Sequence, residues 1–268
     1  GWGNFGASPQ IFYVSTTSGL DITTNGTTEA APFKTIKYAC DFIQADVNNR
    51  TPASVFIKTG AYEEILPISV PKDTALIGDE LRSTSVFPKV GYETSDMFRV
   101  RNGGGIRNMS LNGLEGTLGT ANSYGTRRPT AGAFVSLDPG TGPGDTSVHI
   151  TSKSPYVQNV STFGTGCTGL RVDGSLHNAG YRSVVANDFT QVLTDGIGYW
   201  CSYNGRSELV SVFTYYCHVG YLTEFGGRVR ATNGNNSYGD FGSVAEGVNP
   251  SETAKTGTIN NRSKHAQI

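Results

Sequence analysis

Three acids in the second half of the chain, Asp188, Asp195 and Glu208, come nearest to acid–base chemistry by type and spacing. Hydrolysis of a glycosidic bond needs two carboxyl groups about 5–10 Å apart across a sugar. Stacked strands lie about 4.8 Å apart, so acids one repeat apart could share a ligand. Each acid also has a purely structural use. Asp195 precedes Gly196 in a turn, and Asp188 and Glu208 suit solvated strand edges. No two of them stand in a recognisable catalytic setting, so no catalytic residue is expected. If the protein is an enzyme, these three are the candidates.

Aromatic residues give a stronger signal for binding. Tyr199, Trp200, Tyr203, Tyr215, Tyr216 and Tyr238 crowd one stretch, with Tyr221 among them. Tyr and Trp at a surface stack on sugar faces through an apolar body and a polar tip. These six are the glycan-binding candidates, although interior stacking is expected for about half of such residues. Asn233, Asn235 and Asn236 suit an interior amide ladder.

Metal chemistry has little to stand on. His149, His177, His218 and His265 are scattered, without His-x-x-His or His-Glu-x-x-His spacing. Cys40, Cys167, Cys201 and Cys217 form no Cys-x-x-Cys pair and read as small buried hydrophobes. A Cys201–Cys217 disulfide is the alternative. No metal and no cofactor are expected.

The elements that must position these residues follow from composition and periodicity. The chain has 35 Gly among 268 residues and only 16% charged residues, which suits many tight turns between short strands. With 21 basic and 22 acidic residues, the net charge is -1. No basic field exists to neutralise a phosphate backbone, so nucleic acid is not an expected partner. No apolar run approaches the roughly 20 residues that cross a bilayer, so membrane insertion is not expected. The chain begins at Gly1 rather than Met, as a trimmed or excised piece would.

Residues 11–14 read as a strand, and a polar loop follows. From Pro32, the apolar positions Phe33, Ile36, Ala39, Cys40 and Ile43 fall on one helical face. From Ser54 the pattern changes to short apolar runs at 55–58, 65–70, 74–77 and 85–87, each ended by Gly, Pro or Asp. Later, Val160, Val185 and Val210 recur at equal spacing, with Phe163, Phe189 and Phe213 just after them. Arg182, Arg206 and Arg228 step similarly. A repeat in this range predicts a solenoid. The expectation is that the three valines stack in register on neighbouring strands. The polar loop from Gly113 to Ala131, with Arg127 and Arg128, and the turn-rich segment 138–145 are expected to project from the coil.

The opening strand, polar loop and Pro32-Phe33-Lys34-Thr35-Ile36 before a helix resemble pectate-lyase-like β-helix proteins. Lys58-Thr59-Gly60-Ala61-Tyr62-Glu63-Glu64 stands where that group has a Pro-Gly-x-Tyr-x-Glu turn. The resemblance implies an all-β, single-stranded right-handed parallel β-helix with an N-terminal capping helix. Residues 1–53 would be strand, loop and cap, 54–245 the rungs, and 246–268 a tail or linker to a further domain. The stretches Asp195–Tyr216 and Arg230–Gly239 resemble β-helical tail fibre, tailspike or baseplate-associated proteins of tailed phages, especially cyanophages. That implies a virion component in the tail or baseplate, a homotrimer, and contact with other virion tail proteins and host cell-surface polysaccharide. The alternative is a polysaccharide depolymerase, a glycoside hydrolase or lyase. The acidic cluster of a pectate lyase is absent, and only Asn187-Asp188-Phe189 resembles part of a pectin methylesterase site.

Overall fold

The computed structural model describes residues 9–142, 144–177 and 183–247; Arg182, His265 and the tail beyond 247 lie outside the described residues. The chain opens with β1 (Gln10–Val14), a loop, α1 (Ile36–Ala45) and a short α2 (Val47–Arg50). Thr35 caps α1 through its side-chain oxygen, which accepts the Tyr38 amide at 3.1 Å.

The rest is all β. Three strands make the first circuit: β2 (Ala53–Ile57), β3 (Gly60–Glu64) and β4 (Ile68–Val70). The next comprises β5 (Thr74–Gly78), β6 (Thr84–Pro88) and β7 (Phe98–Val100). In the middle circuits the first two strands fuse into one long bent strand. These are β8 (Gly105–Glu115) with β9 (Ala133–Leu137), β10 (Tyr156–Thr165) with β11 (Thr168–Asp173), and β12 (Ser183–Thr194) with β13 (Ile197–Ser202). The last circuits split again into β14 (Arg206–Val210), β15 (Phe213–Tyr215) and β16 (Val219–Glu224), then β17 (Arg228–Thr232), β18 (Asn235–Ser237) and β19 (Phe241–Glu246).

Each strand pairs in parallel with its counterpart one circuit later. The first sheet is ordered β1-β2-β5-β8-β10-β12-β14-β17, and the second β19-β16-β13-β11-β9-β7-β4. The ladder therefore starts at β1, which pairs with β2 from Gln10↔Ala53 to Val14↔Ile57. The segment 58–64, expected as a turn, supplies the strand β3, with Tyr62 and Glu64 facing inward.

The helix covers the open end of the core. It touches β1, β2, β3 and β4, the first strands of the stack. Phe33, Ile36, Cys40 and Ile43 are fully buried, as are Val55 and Ile57 beneath them. An uncovered solenoid end would expose this apolar interior to water. All four cysteines are free and buried, so the Cys201–Cys217 bridge does not form. Burial pushes the Cys167 and Cys217 thiols up to about 12.

The bends of the long strands use a column of polar residues. Asn108, Asn159, Asp188, Ser211 and Asn233 all have positive φ, between 50° and 57°. Short polar side chains tolerate this left-handed region. Along the column the Asn159 amide donates to Asn108 at 3.1 Å, and Asn233 to Ser211 at 3.2 Å.

The expected stacking of the valines does not hold. Val160 lies opposite Phe189, Val185 opposite Glu208, and Val210 opposite Asn187. Phe163 faces Val192, and Phe213 faces Thr190. Circuits differ in length, so equal sequence spacing does not give equal register. Inside the coil, Thr162, Gln191, Thr214 and Asn236 form the in-register polar ladder. The Thr214 hydroxyl donates to Asn236 Oδ1 at 2.5 Å. Asn236 alone of the three expected asparagines belongs to it; Asn233 is at the bend and Asn235 is exposed.

Candidate functional site

The three candidate acids are not brought together. Asp188 is exposed at the bend column, and Asp195 is exposed in the turn between β12 and β13 with φ 54°. Six residues of strand lie between them, about 20 Å of extended chain. Glu208 lies on the outer side of β14, three positions along from the bend, and pairs with Arg230 at 3.5 Å.

A different pair of carboxylates meets. Glu224 and Glu246 end β16 and β19 and lie directly opposite each other. Arg128 Nη2 donates to Glu224 at 2.7 Å and to Glu246 at 2.9 Å. Trp200 Nε1 donates to Glu224 Oε1 at 2.7 Å, and Asn122 Nδ2 to Glu246 Oε2 at 2.8 Å. The Thr126 hydroxyl also donates to Glu246. The Trp200 ring has the Arg171 guanidinium 4.0 Å from its centroid and that of Arg128 at 5.5 Å. A cleft of about 230 Å³ opens beside the pair, lined by Glu224, Glu246, Gly226 and Arg228.

Electrostatics make this pair an anchor rather than an acid and a base. Partial burial of Glu246 favours its neutral form, but the bonds from Thr126 and Arg128 outweigh that and hold its carboxyl below the usual value. Burial works against the Arg128 charge, yet Glu224 and Glu246 raise its value. The Glu246 carboxyl is therefore not set to keep a proton for a leaving group, as a general acid must.

The anchor fastens a strap. Residues 116–130 do not project, as expected from their polarity, but fold back over the outer face of the second sheet. An antiparallel bridge between Leu118 and Pro129 and the bond from Thr130 N–H to Thr117 O close the strap's base. Next to the Arg128 anchor, the Arg127 amide donates to His218 Nε2 at 3.0 Å. On the face so fastened, Ile197, Val219 and Leu222 are fully buried, with Trp200, Phe241 and Val244 packed around them. This is a second apolar cluster, separate from the core inside the coil.

The aromatic candidates divide. Tyr199 is not at the surface: it is 1% exposed, and its hydroxyl donates to the Phe189 carbonyl inside the coil. It stacks on Tyr221 at 5.4 Å. Burial raises both hydroxyls, that of Tyr221 to about 12. Trp200 is half-buried at the strap anchor, and Tyr215 is half-buried on the outer side of β15.

Tyr203 and Tyr216 with Tyr238 are exposed, and they come in stacked pairs. Tyr203 stacks on Phe225 with centroids 4.8 Å apart, and Tyr216 on Tyr238 at 5.7 Å. The four rings are 43%, 53%, 52% and 81% exposed in that order. All four residues have positive φ, from 47° to 61°. A bulky residue there is a genuine outlier, since Gly or Asn would adopt the conformation at lower cost. Gly247, with φ 93°, follows Phe225 at the same corner. Phe225 completes the corner beside the cleft, and it was not singled out from sequence. The missed signal was its place one repeat after Tyr203, just as Glu246 stands one repeat after Glu224.

No protein-family model matches the chain, and no curated protein matches it. Among solved structures, ORF18 of Geobacillus virus E2 is similar with a TM-score of 0.29 and 10% sequence identity. The match covers 89% of this chain and 60% of that one, so the chain spans under two thirds of that protein's length.

Proposed function

We propose that this chain is a single-stranded right-handed parallel β-helix serving as a structural, adhesive component of a phage tail or baseplate. In this reading it is a tail fibre, tailspike or baseplate-associated protein that holds host surface glycan on its exposed aromatic corners. The general preference of parallel crossovers for a right-handed path supports the handedness in this reading. The resemblance of Asp195–Tyr216 and Arg230–Gly239 to phage tail proteins supports the setting. The observation that carries the binding role is the set of four exposed, stacked aromatics, each in a backbone conformation that disfavours it. Strain kept at a surface is explained by contact with a ligand better than by folding. A homotrimer would multiply weak contacts by avidity.

The second reading, a depolymerase, rests on the Glu224–Glu246 pair beside a cleft. It is weaker because both carboxylates are charge-paired to Arg128. One experiment separates the two. Purified protein is incubated with host surface polysaccharide, and both retention and the release of reducing ends or unsaturated uronate are followed. Retention without product, weakened by Tyr203→Ala or Tyr238→Ala, is expected. Product that disappears in Glu224→Gln or Glu246→Gln would overturn the adhesive reading. Neither retention nor product would leave a purely structural part of the particle.

A further inference from the structure

The turns that follow β9 and β11 are built alike. Asp145, Ser147 and His149 stand at the same spacing as Asp173, Ser175 and His177. In each turn the aspartate accepts the serine amide, Asp145 Oδ1 from Ser147 at 3.0 Å and Asp173 Oδ1 from Ser175 at 2.9 Å. A single 3₁₀ turn comes next, Thr146–Val148 in one and Gly174–Leu176 in the other. Each histidine closes its turn, its own amide donating to Thr146 O or to Gly174 O at 3.2 Å. Because the turns belong to successive circuits, the two imidazoles meet, with ring centroids 5.5 Å apart. Both histidines are only 7% exposed. Yet no hydrogen bond reaches Nε2 of His149 or either ring nitrogen of His177. Buried polar atoms are almost always bonded, and an exception calls for an explanation such as a bound ion.

We propose that His149 and His177 together bind a borderline divalent cation of the class of Zn²⁺, which staples the two turns. Neutral imidazole suits such ions, whereas Mg²⁺ and Ca²⁺ take oxygen ligands. An ion about 2.0–2.1 Å from one nitrogen of each ring holds the centroids about 5–6 Å apart at a near-tetrahedral angle, which matches the separation present. His149 Nε2 is one ligand atom, and a nitrogen of His177 is the other. Burial, and then His149, lower the His177 value, which keeps a lone pair on that ring. Asp173 and Asp138 act the other way, because their charge favours a cation there. Both acids are already engaged, Asp138 by Arg101 at 2.8 Å and Asp173 by Arg171 at 3.1 Å. Among the described residues no group of three or more His, Cys, Asp and Glu is placed to hold a metal. The ion therefore has two protein ligands, and water completes its shell. The two histidines are 28 residues apart, so no local spacing marks the site. The inference rests on the paired turns and does not depend on glycan binding.

The test uses the whole chain, stripped with a chelator and then titrated with Zn²⁺ alone. Calorimetry should show a single Zn²⁺ per chain, with a rise in melting temperature that Mg²⁺ does not give. Affinity should fall at least roughly tenfold in His149→Ala and in His177→Ala, since even a change outside the coordination shell costs that much. Should either variant not fold, the native protein still decides. Zn²⁺ must then move the ring nitrogen resonances of His149 and His177 before those of His218 and His265. No binding, equal binding in the native protein and both variants, or first shifts at His218 or His265 overturns the site and leaves an adventitious ion only.

Discussion

Glu64 receives the amide N–H of Ile36 at 2.6 Å, and with its other oxygen that of Lys37 at 3.2 Å. The last residue of β3 thus supplies the anion at the start of α1, where orphan N–H groups and the helix dipole favour negative charge. The first circuit and its cap are joined by one buried carboxylate, 1% exposed.

Stability is expected to fall as pH rises through neutrality, through this residue. Burial pushes the Glu64 carboxyl from 4.5 up to about 7, against the two amide bonds. A carboxyl raised on folding binds its proton more tightly in the folded chain. Its contribution is complete below the unfolded value and is lost as pH rises through the folded one. Melting temperatures from about pH 5 to about pH 8 should therefore decline, and Glu64→Gln, which keeps an acceptor oxygen, should flatten the decline. Parallel curves for the two proteins would refute the assignment.

Gly198→Ala should destabilise the coil by about 1–3 kcal/mol, the usual cost of overpacking. A Cβ at Gly198 would stand 2.5 Å from Thr214 Cγ2 and 2.6 Å from the Gly220 carbonyl oxygen. The interior polar ladder runs directly against this strand and has nowhere to retreat. The urea midpoint of the variant measures the effect; an unchanged midpoint would mean that the two sheets are not packed this tightly.

The cap was legible from sequence because its apolar residues recur at helical spacing, and Phe33, Ile36, Ala39, Cys40 and Ile43 are all buried. The register was not. Thr162 and Gln191 are paired 29 residues apart, whereas Thr214 and Asn236 are paired 22 apart. Evenly spaced valines therefore drift out of phase. The strap was not legible either, since Arg128 and Glu224 are 96 residues apart and nothing local marks a polar loop as folding back. Tyr199 and Tyr203 show the same limit at the candidate site. Four residues apart on one strand and its turn, one is sealed inside and the other is 43% exposed.

Ser211→Asn should stabilise the protein by roughly 0.5 kcal/mol or more, the scale of a well-placed backbone-compatible substitution. Ser211 has φ 50° in a column otherwise made of Asn and Asp. Asn adopts that region more readily than Ser and would continue the amide ladder from Asn233. Thermal melting of the variant checks it, and a lowered midpoint would show that the hydroxyl has a role of its own.

Tyr203→Asn separates binding from folding. The substitution loses the stack on Phe225, about 0.5–1.5 kcal/mol for an aromatic pair. It also relieves a bulky side chain at φ 51°, a conformation that costs about 1–2 kcal/mol for most residues and less for Asn. The two effects oppose each other, so stability should change by less than about 1 kcal/mol. Retention on polysaccharide should nevertheless drop, because the corner loses one of its two rings. Tyr199→Phe supplies the opposite pattern. It removes the buried hydroxyl that bonds the Phe189 carbonyl and should cost about 1 kcal/mol with retention unchanged. Paired melting and retention measurements on both variants decide the matter. If Tyr203→Asn melts well below the native protein and still binds, the exposed ring is a structural staple and the aromatic corner is not a binding platform.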